Sequence, residues 1–308
     1  NLQLSLVLLW FASSAFAQSN TAPFDTGGTS SSLEITLRRS SGSGVTHAVV
    51  EGSSLPSPTG YFEIDGAGPL PIGSQVSFKA QAPMLSGRIY AEVRAPSTVG
   101  VAFSNPNAVP SVLSFFFTDS DGRDIGFGTT TISPNGQIAR FLDQPPFNAP
   151  AGLRGSMSFT STAPVAAIAV LGYLNERGVF LMPQDPVLEL PNAGHAIIPY
   201  FIAGSVAGGN TSGDVKTTDI VILNTTDQPL SGTFTFFGQG SGSTEALPVN
   251  ITIEGQTAST FSYSIPTRSS RRYAMSPTAT TLYRGSIQMN PGSGTTAPTT
   301  FALESATR

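Results

Sequence analysis

The feature that most constrains this chain is that it aligns with itself. Val101 to Phe117 matches Ile220 to Phe236 without a gap, superimposing Asn105 on Asn224, Pro110 on Pro229, Phe115 on Phe234 and Phe117 on Phe236. A second anchor pairs Ile132-Ser-Pro134 and Arg140-Phe141 with Ile265-Pro266 and Arg272-Tyr273. A third pairs Leu153-Arg-Gly-Ser-Met-Ser-Phe159 with Tyr283-Arg-Gly-Ser-Ile-Gln-Met289. Three anchors in one order indicate a tandem duplication of a unit of about a hundred residues, the size of a small sandwich domain. The spacing between copies widens after the first anchor. An insertion in the second copy is therefore expected between Gly238 and Gly255, in a surface loop. Thr46 to Tyr61 echoes Ser286 to Phe301 as a partial third copy.

Within each copy apolar residues alternate with polar ones, the period of half-buried strands. Leu113, Phe115 and Phe117 share one face with Ser114 between them, as Phe234 and Phe236 do with Thr233 and Thr235. Met157 and Phe159 face inward, with Ser156 and Ser158 outward, as Ile287 and Met289 do with Ser286 and Gln288. Strands are expected at Arg88 to Val93, Val99 to Ser104, Ser111 to Thr118, Gly126 to Ile132, Gln137 to Leu142, Leu153 to Ser161, Val165 to Tyr173 and Gly178 to Met182. That density of short strands describes an all-β fold of tandem immunoglobulin-like or fibronectin-III-like sandwiches, without the Cys-Trp-Cys core of antibody domains. The expected divisions are a signal peptide over 1–17, a flexible leader over 18–32, a partial β domain over 33–84, and sandwich repeats over 85–190 and 191–308. Pro183 to Gly194 reads as the linker. The second repeat reads as truncated: its last strand begins near Thr299 and no return strand follows, which strips cover from Phe301 and Leu303.

Composition narrows the function. Hydrophobic residues make up 39% of the chain, enough for two or three modest cores. Charged residues make up only 11%, against roughly 25% in an average soluble protein, which disfavours charged surface helices. The net charge of −4 provides no field for a polyanion, so nucleic acid is set aside. The apolar run ending in Ala15-Phe16-Ala17 has the h-region and cleavage pattern of a secretory signal. It is shorter than the ~20 apolar residues a bilayer span needs, so no membrane span is expected after cleavage. There is no Cys, which removes disulfides, thiol nucleophiles and thiolate metal sites.

The segments Ser86-Gly-Arg-Ile-Tyr-Ala-Glu-Val93, Pro134-Asn-Gly-Gln-Ile-Ala-Arg-Phe141 and Asn175-Glu-Arg-Gly178 resemble stretches in secreted multi-repeat proteins of environmental bacteria. The resemblance covers residues 45 to 308. It implies an extracellular protein of tandem β-sandwich units and brings no catalytic residues with it.

Few residues nominate chemistry. A Ser-His-acid triad needs a His, and only His47 and His195 exist, with no Gly-x-Ser-x-Gly elbow beside them. Asp119, Asp121 and Asp124 place three carboxylates around Gly122, a donor set suited to calcium. Gly122 and Thr130 miss the EF-hand pattern, however, and a tight Asp121-Gly122 hairpin is the preferred alternative. Lys216 could crosslink to an Asn, with no motif to support it. Asn210, Asn224 and Asn250 begin glycosylation sequons. Phe116 and Phe237 have outward parity and are the candidate surface aromatics for stacking on a sugar ring. The expected function is a non-catalytic extracellular or cell-surface module, acting as a spacer, adhesin or binding surface for an extracellular polymer or surface protein. The alternatives are an accessory region of a larger secreted hydrolase, or a free-standing hydrolase with an unidentified carboxylate pair.

Overall fold

The computed structural model describes residues 2–7, 34–39, 46–52, 59–64, 74–79, 81–174, 180–181, 184–190, 197–205, 215–240, 245–276 and 282–307. Among these the chain is all-β, with strands and no helix. The N-terminal strands are β1 (Leu2–Val7), β2 (Glu34–Arg39), β3 (Thr46–Gly52), β4 (Thr59–Ile64) and β5 (Ser74–Lys79). They form a three-stranded sheet in the order β1-β3-β2 and a separate β4-β5 pair. The Ala15-Phe16-Ala17 motif and the leader from Gln18 to Ser32 lie outside the described residues.

Next come β6 (Met84–Arg94), β7 (Ser97–Ser104), β8 (Ser111–Asp119), β9 (Asp124–Ile132), β10 (Gln137–Phe141), β11 (Arg154–Leu174), β12 (Phe180–Leu181), β13 (Gln184–Asp185) and β14 (Leu188–Glu189). The last group is β15 (Ile197–Ser205), β16 (Val215–Leu223), β17 (Leu230–Gly238), β18 (Ile251–Ile253), β19 (Gln256–Ala258), β20 (Thr260–Ile265), β21 (Ser270–Tyr273), β22 (Tyr283–Pro291) and β23 (Thr299–Thr307). The chain divides into two compact units: Asn1–Phe117 with Asp124–Leu190, and Thr118–Arg123 with Pro191–Arg308.

In the first unit the strand order is β10-β7-β6-β11-β8-β9. Strand β11 does not stay with one neighbour. Its first half pairs antiparallel with β6, from Arg154 opposite Glu92 to Thr160 opposite Ser86, and its second half pairs with β7, from Ala166 opposite Ser104 to Tyr173 opposite Ser97. The register shifts between Thr160 and Val165, so the sheet curls over on itself there. The two strands expected at Leu153 to Ser161 and Val165 to Tyr173 are thus one bent strand. Pro164 lacks an N–H for the ladder, while the Thr162 hydroxyl accepts a bond from the Val112 N–H, supporting the bend from its side chain. Val165 to Leu171 is apolar without alternation and buried throughout, as expected where both faces of a strand are covered.

The core follows the alternation. Leu113, Phe115 and Phe117 are buried, and Val112 and Ser114 are exposed. On β9 the residues beneath the two rings are glycines. A Cβ at Gly128 would collide with the Phe115 ring and one at Gly126 would lie 2.8 Å from Phe117. Phe103 meets Phe159 edge-on at 4.9 Å, and Phe115 meets Phe147 at 5.1 Å.

The second unit has the order β20-β17-β22-β15-β16-β21, with β23 on β16. Phe234 and Phe236 are buried, and Phe234 stacks on Phe261 at 5.5 Å. The expected insertion ends in the turn of a small hairpin, β18 with β19, made by Glu254 and Gly255, both at positive φ as its hairpin turn requires.

Several expectations change. The second anchor holds at Ile132 and Ile265 and is displaced by one residue at its Pro and Arg. Asn105 donates to the Ile132 and Ser133 carbonyls, and Asn224 donates to those of Ile265 and Pro266, so Pro266 corresponds to Ser133 and not to Pro134. Arg140 opposes Val101 while Arg272 opposes Val221, one step further along, so Tyr273 is the counterpart of Arg140. The expected linker is partly built into the first unit: β13 pairs with β11 and β14 with β6, and Asp185 and Val187 are buried. Ser156 and Ser158 have outward parity but are buried. Arg88 donates to the Ser158 hydroxyl at 2.8 Å, Tyr90 stands opposite Ser156, and the Tyr90 hydroxyl lies 2.8 Å from Glu92.

Candidate functional site

The three aspartates lie at the turn between β8 and β9. Gly122 N–H donates to the Asp119 carbonyl and Asp119 N–H to the Arg123 carbonyl, closing a three-residue loop with Gly122 left-handed at φ 83°. Asp121 is not at positive φ, so this is a turn followed by a glycine bulge and not the two-residue turn the Asp-Gly pair suggests. One Asp119 carboxylate oxygen accepts the backbone N–H groups of Asp121 and Arg123, each at 2.9 Å, and Asp121 faces Arg123 across 3.6 Å of exposed surface. Among the described residues no group of three acidic or histidine side chains is placed to hold a metal ion.

His47 lies on β3, and His195 falls outside the described residues. Lys216 pairs through its backbone with Gly204 and Ala306. Asn210 also lies outside the described residues. Asn250 is exposed, whereas Asn224 is buried with its amide committed to hydrogen bonds, so the middle sequon is closed to a sugar.

Burial raises the pKa of three groups, Asp185, Tyr263 and Tyr273. Burial pushes the Asp185 carboxyl well above its ordinary value, and among the described residues neither of its oxygens has a hydrogen-bond partner. Burial pushes the Tyr273 phenol up to about 12, opposed by the Arg271 guanidinium, which sits 4.6 Å over the ring.

The surface aromatics separate clearly. Phe237 is half-buried at the end of β17, opposite Ser286, where Gly238 N–H bonds the Leu247 carbonyl and a loop runs alongside. Phe116 is half-buried and is joined by Phe127 of β9, a residue the sequence did not single out. Their rings stack at 5.7 Å and 26°, and Phe127 is 72% exposed. With Gly126 and Gly128 turned toward Phe117 and Phe115, Phe127 must point outward, next to exposed Thr129 and Thr131. On β8, exposed Val112 and Ser114 share its side. No charged residue occurs between Ser111 and Phe117 or between Ile125 and Ile132, so this is an uncharged strip of hydroxyls with an aromatic platform at one end.

The second unit holds the same position differently. Thr235 counts from Asn224 as Phe116 does from Asn105, and Thr260 counts from Ile265 as Phe127 does from Ile132. Thr235 and Thr260 stand opposite each other with their hydroxyls 3.0 Å apart. One unit has a stacked aromatic pair where the other has a threonine pair. Nothing in the core requires the difference, since both pairs face outward. An exposed Phe forgoes about 1.5–3 kcal/mol that burial would provide. A surface ring pair recovers only about 0.5–1.5 kcal/mol of that. Comparison with protein-family models, with curated proteins and with solved structures gives no match for this chain.

Proposed function

We propose that the chain is a non-catalytic extracellular module built from two copies of one immunoglobulin-like sandwich, and that it binds a polysaccharide through the outer strip of β8 and β9 in the first copy. The observation that carries this reading is the exposed Phe127 stacked on Phe116, in a position the second copy fills with Thr235 and Thr260. A sugar ring offers a flat C–H face to the aromatic platform and hydroxyls to Ser114, Thr129 and Thr131. Covering Phe127 would recover the free energy its exposure forgoes. The uncharged strip suits a neutral polymer better than a charged one. The second copy then serves as a spacer with a polar face.

The test is retention on a panel of insoluble polysaccharides. The wild-type chain is expected to be held by at least one of them, the Phe116→Ser/Phe127→Ser double variant to be released, and Thr260→Ser to behave as wild type. Retention by none of the panel, or retention that survives the double variant, overturns the proposal.

A further inference from the structure

The face that carries Phe127 continues past β8 onto β11. In the second unit Thr233 stands opposite Ser262 on one side and Asn290 on the other. Ser114 counts from Asn105 as Thr233 does from Asn224, Thr129 from Ile132 as Ser262 from Ile265, and Thr160 from Arg154 as Asn290 from Arg284. Thr160 in turn stands opposite Ser86 of β6. The hydroxyls of Thr129, Ser114, Thr160 and Ser86 thus form one row across β9, β8, β11 and β6. The bond from the Val112 N–H to the Thr162 hydroxyl agrees with this register, since it sets the next outward residues of β8 and β11 side by side. Thr129, Ser114 and Thr160 are exposed and Ser86 is half-buried. No charged residue occurs between Gly155 and Pro164.

The neighbouring row, on the turn side, is open only at one end. It runs from Phe127 and Phe116 to Ser158 and Arg88, and the last two are buried and joined by a hydrogen bond. A polymer with a ring on Phe127 therefore finds no exposed surface along that row beyond Phe116, and its next sugars fall on the hydroxyl row. Adjacent strands are about 4.8 Å apart, close to the length one sugar adds to an extended glycan, whereas residues sharing a face of one strand are about 7 Å apart. A chain that crosses the strands keeps step with them, one sugar to a strand.

We propose that the site is a track across the strands for a neutral glycan in extended form, with one ring on Phe127, the second sugar at Ser114 and the third at Thr160. Thr160 of β11 is then a further binding residue. A β-1,4-linked chain has this extended form, whereas an α-1,4-linked glucan coils away from the row. The inference rests on the polysaccharide reading of the Phe127 platform.

The test titrates the full chain with β-1,4-linked hexasaccharides of glucose, N-acetylglucosamine, mannose and xylose, and with the α-1,4-linked hexasaccharide of glucose. At least one β-linked hexasaccharide is expected to bind, and the α-linked one to bind more weakly by about tenfold or more. Thr160→Val keeps the branched shape and loses the hydroxyl. It should weaken the best hexasaccharide by about threefold to tenfold, the worth of one hydrogen bond. Thr160→Ser keeps the hydroxyl and should bind as wild type. The proposal is overturned if no β-linked hexasaccharide binds, if the α-linked one binds as tightly, if Thr160→Val binds as wild type, or if Thr160→Ser binds as weakly as Thr160→Val. The polysaccharide reading fails separately, when Phe116→Ser/Phe127→Ser is still held by the insoluble polymer. Release of that double variant, with Thr160→Val unaffected, would keep the platform and remove the track.

Discussion

Asn105 and Asn224 occupy the same position in two different units and make the same set of bonds. The Asn105 amide nitrogen donates to the Val109, Ile132 and Ser133 carbonyls, and its oxygen accepts from the backbone and side-chain nitrogens of Asn107. The Asn224 nitrogen donates to the Gln228, Ile265 and Pro266 carbonyls, and its oxygen accepts from the backbone N–H and hydroxyl of Thr226. Each side chain ties the loop after one strand to the turn after another. Truncation to Ala strands several buried groups, each worth about 1–3 kcal/mol. Asn105→Ala and Asn224→Ala are expected to destabilise their units by about 3 kcal/mol each, read by denaturant unfolding of the two variants.

The parity of β8 and β17 gives a second expectation. Phe115→Ala and Phe234→Ala remove rings packed against Phe147 and Phe261, and each should cost about 3–5 kcal/mol. Ser114→Ala and Thr233→Ala, on the opposite side, should stay within about 0.5 kcal/mol of wild type. Equal effects on both sides would mean the inward face has been misassigned.

Gly128 lies under the Phe115 ring with no room for a methyl group. Gly128→Ala should lower the melting temperature of the first unit, and pairing it with Phe115→Leu should recover part of the loss. The corresponding residue of the second unit, Phe261, fills the same space with a stacked ring. A Gly128→Ala variant as stable as wild type would contradict this packing.

Asp185 sets a pH dependence. Its folded pKa is raised above the ordinary 3.8, so the stability associated with its proton is fully present below about pH 3.8 and is lost as pH rises through the folded value. Asp185→Asn removes that loss. The variant is expected to melt higher than wild type at pH 7, and the difference should shrink as pH falls toward 3.8. A difference independent of pH would show that the carboxyl is not the cause.

Much of the fold was legible because β-strands advertise their faces. Leu113, Phe115 and Phe117 declared the core by alternation, and the aligned Asn105 and Asn224 fall on equivalent hydrogen-bonding centres, a role the alignment itself did not reveal. The second anchor held at Ile132 and Ile265 and slipped by one beyond them because Pro and Arg recur at equal spacing in both units, an identity that local geometry does not respect. Phe127 was not legible. Its strand reads Gly-Phe-Gly-Thr, and which side is outward is decided only when Gly126 and Gly128 are found beneath Phe117 and Phe115. Nor was the closing role of residues 184–189, since the prolines around them read as a linker until the edges of β11 and β6 were found to accept them.

The most direct measurement counts binding sites. Soluble oligosaccharides cut from the polysaccharide that retains the wild-type chain would be titrated calorimetrically into three proteins: wild type, Phe116→Ser/Phe127→Ser, and Thr235→Phe/Thr260→Phe. If the stacked pair is the binding platform and the two units are copies, the account predicts one site, none and two. A single site in all three would contradict it.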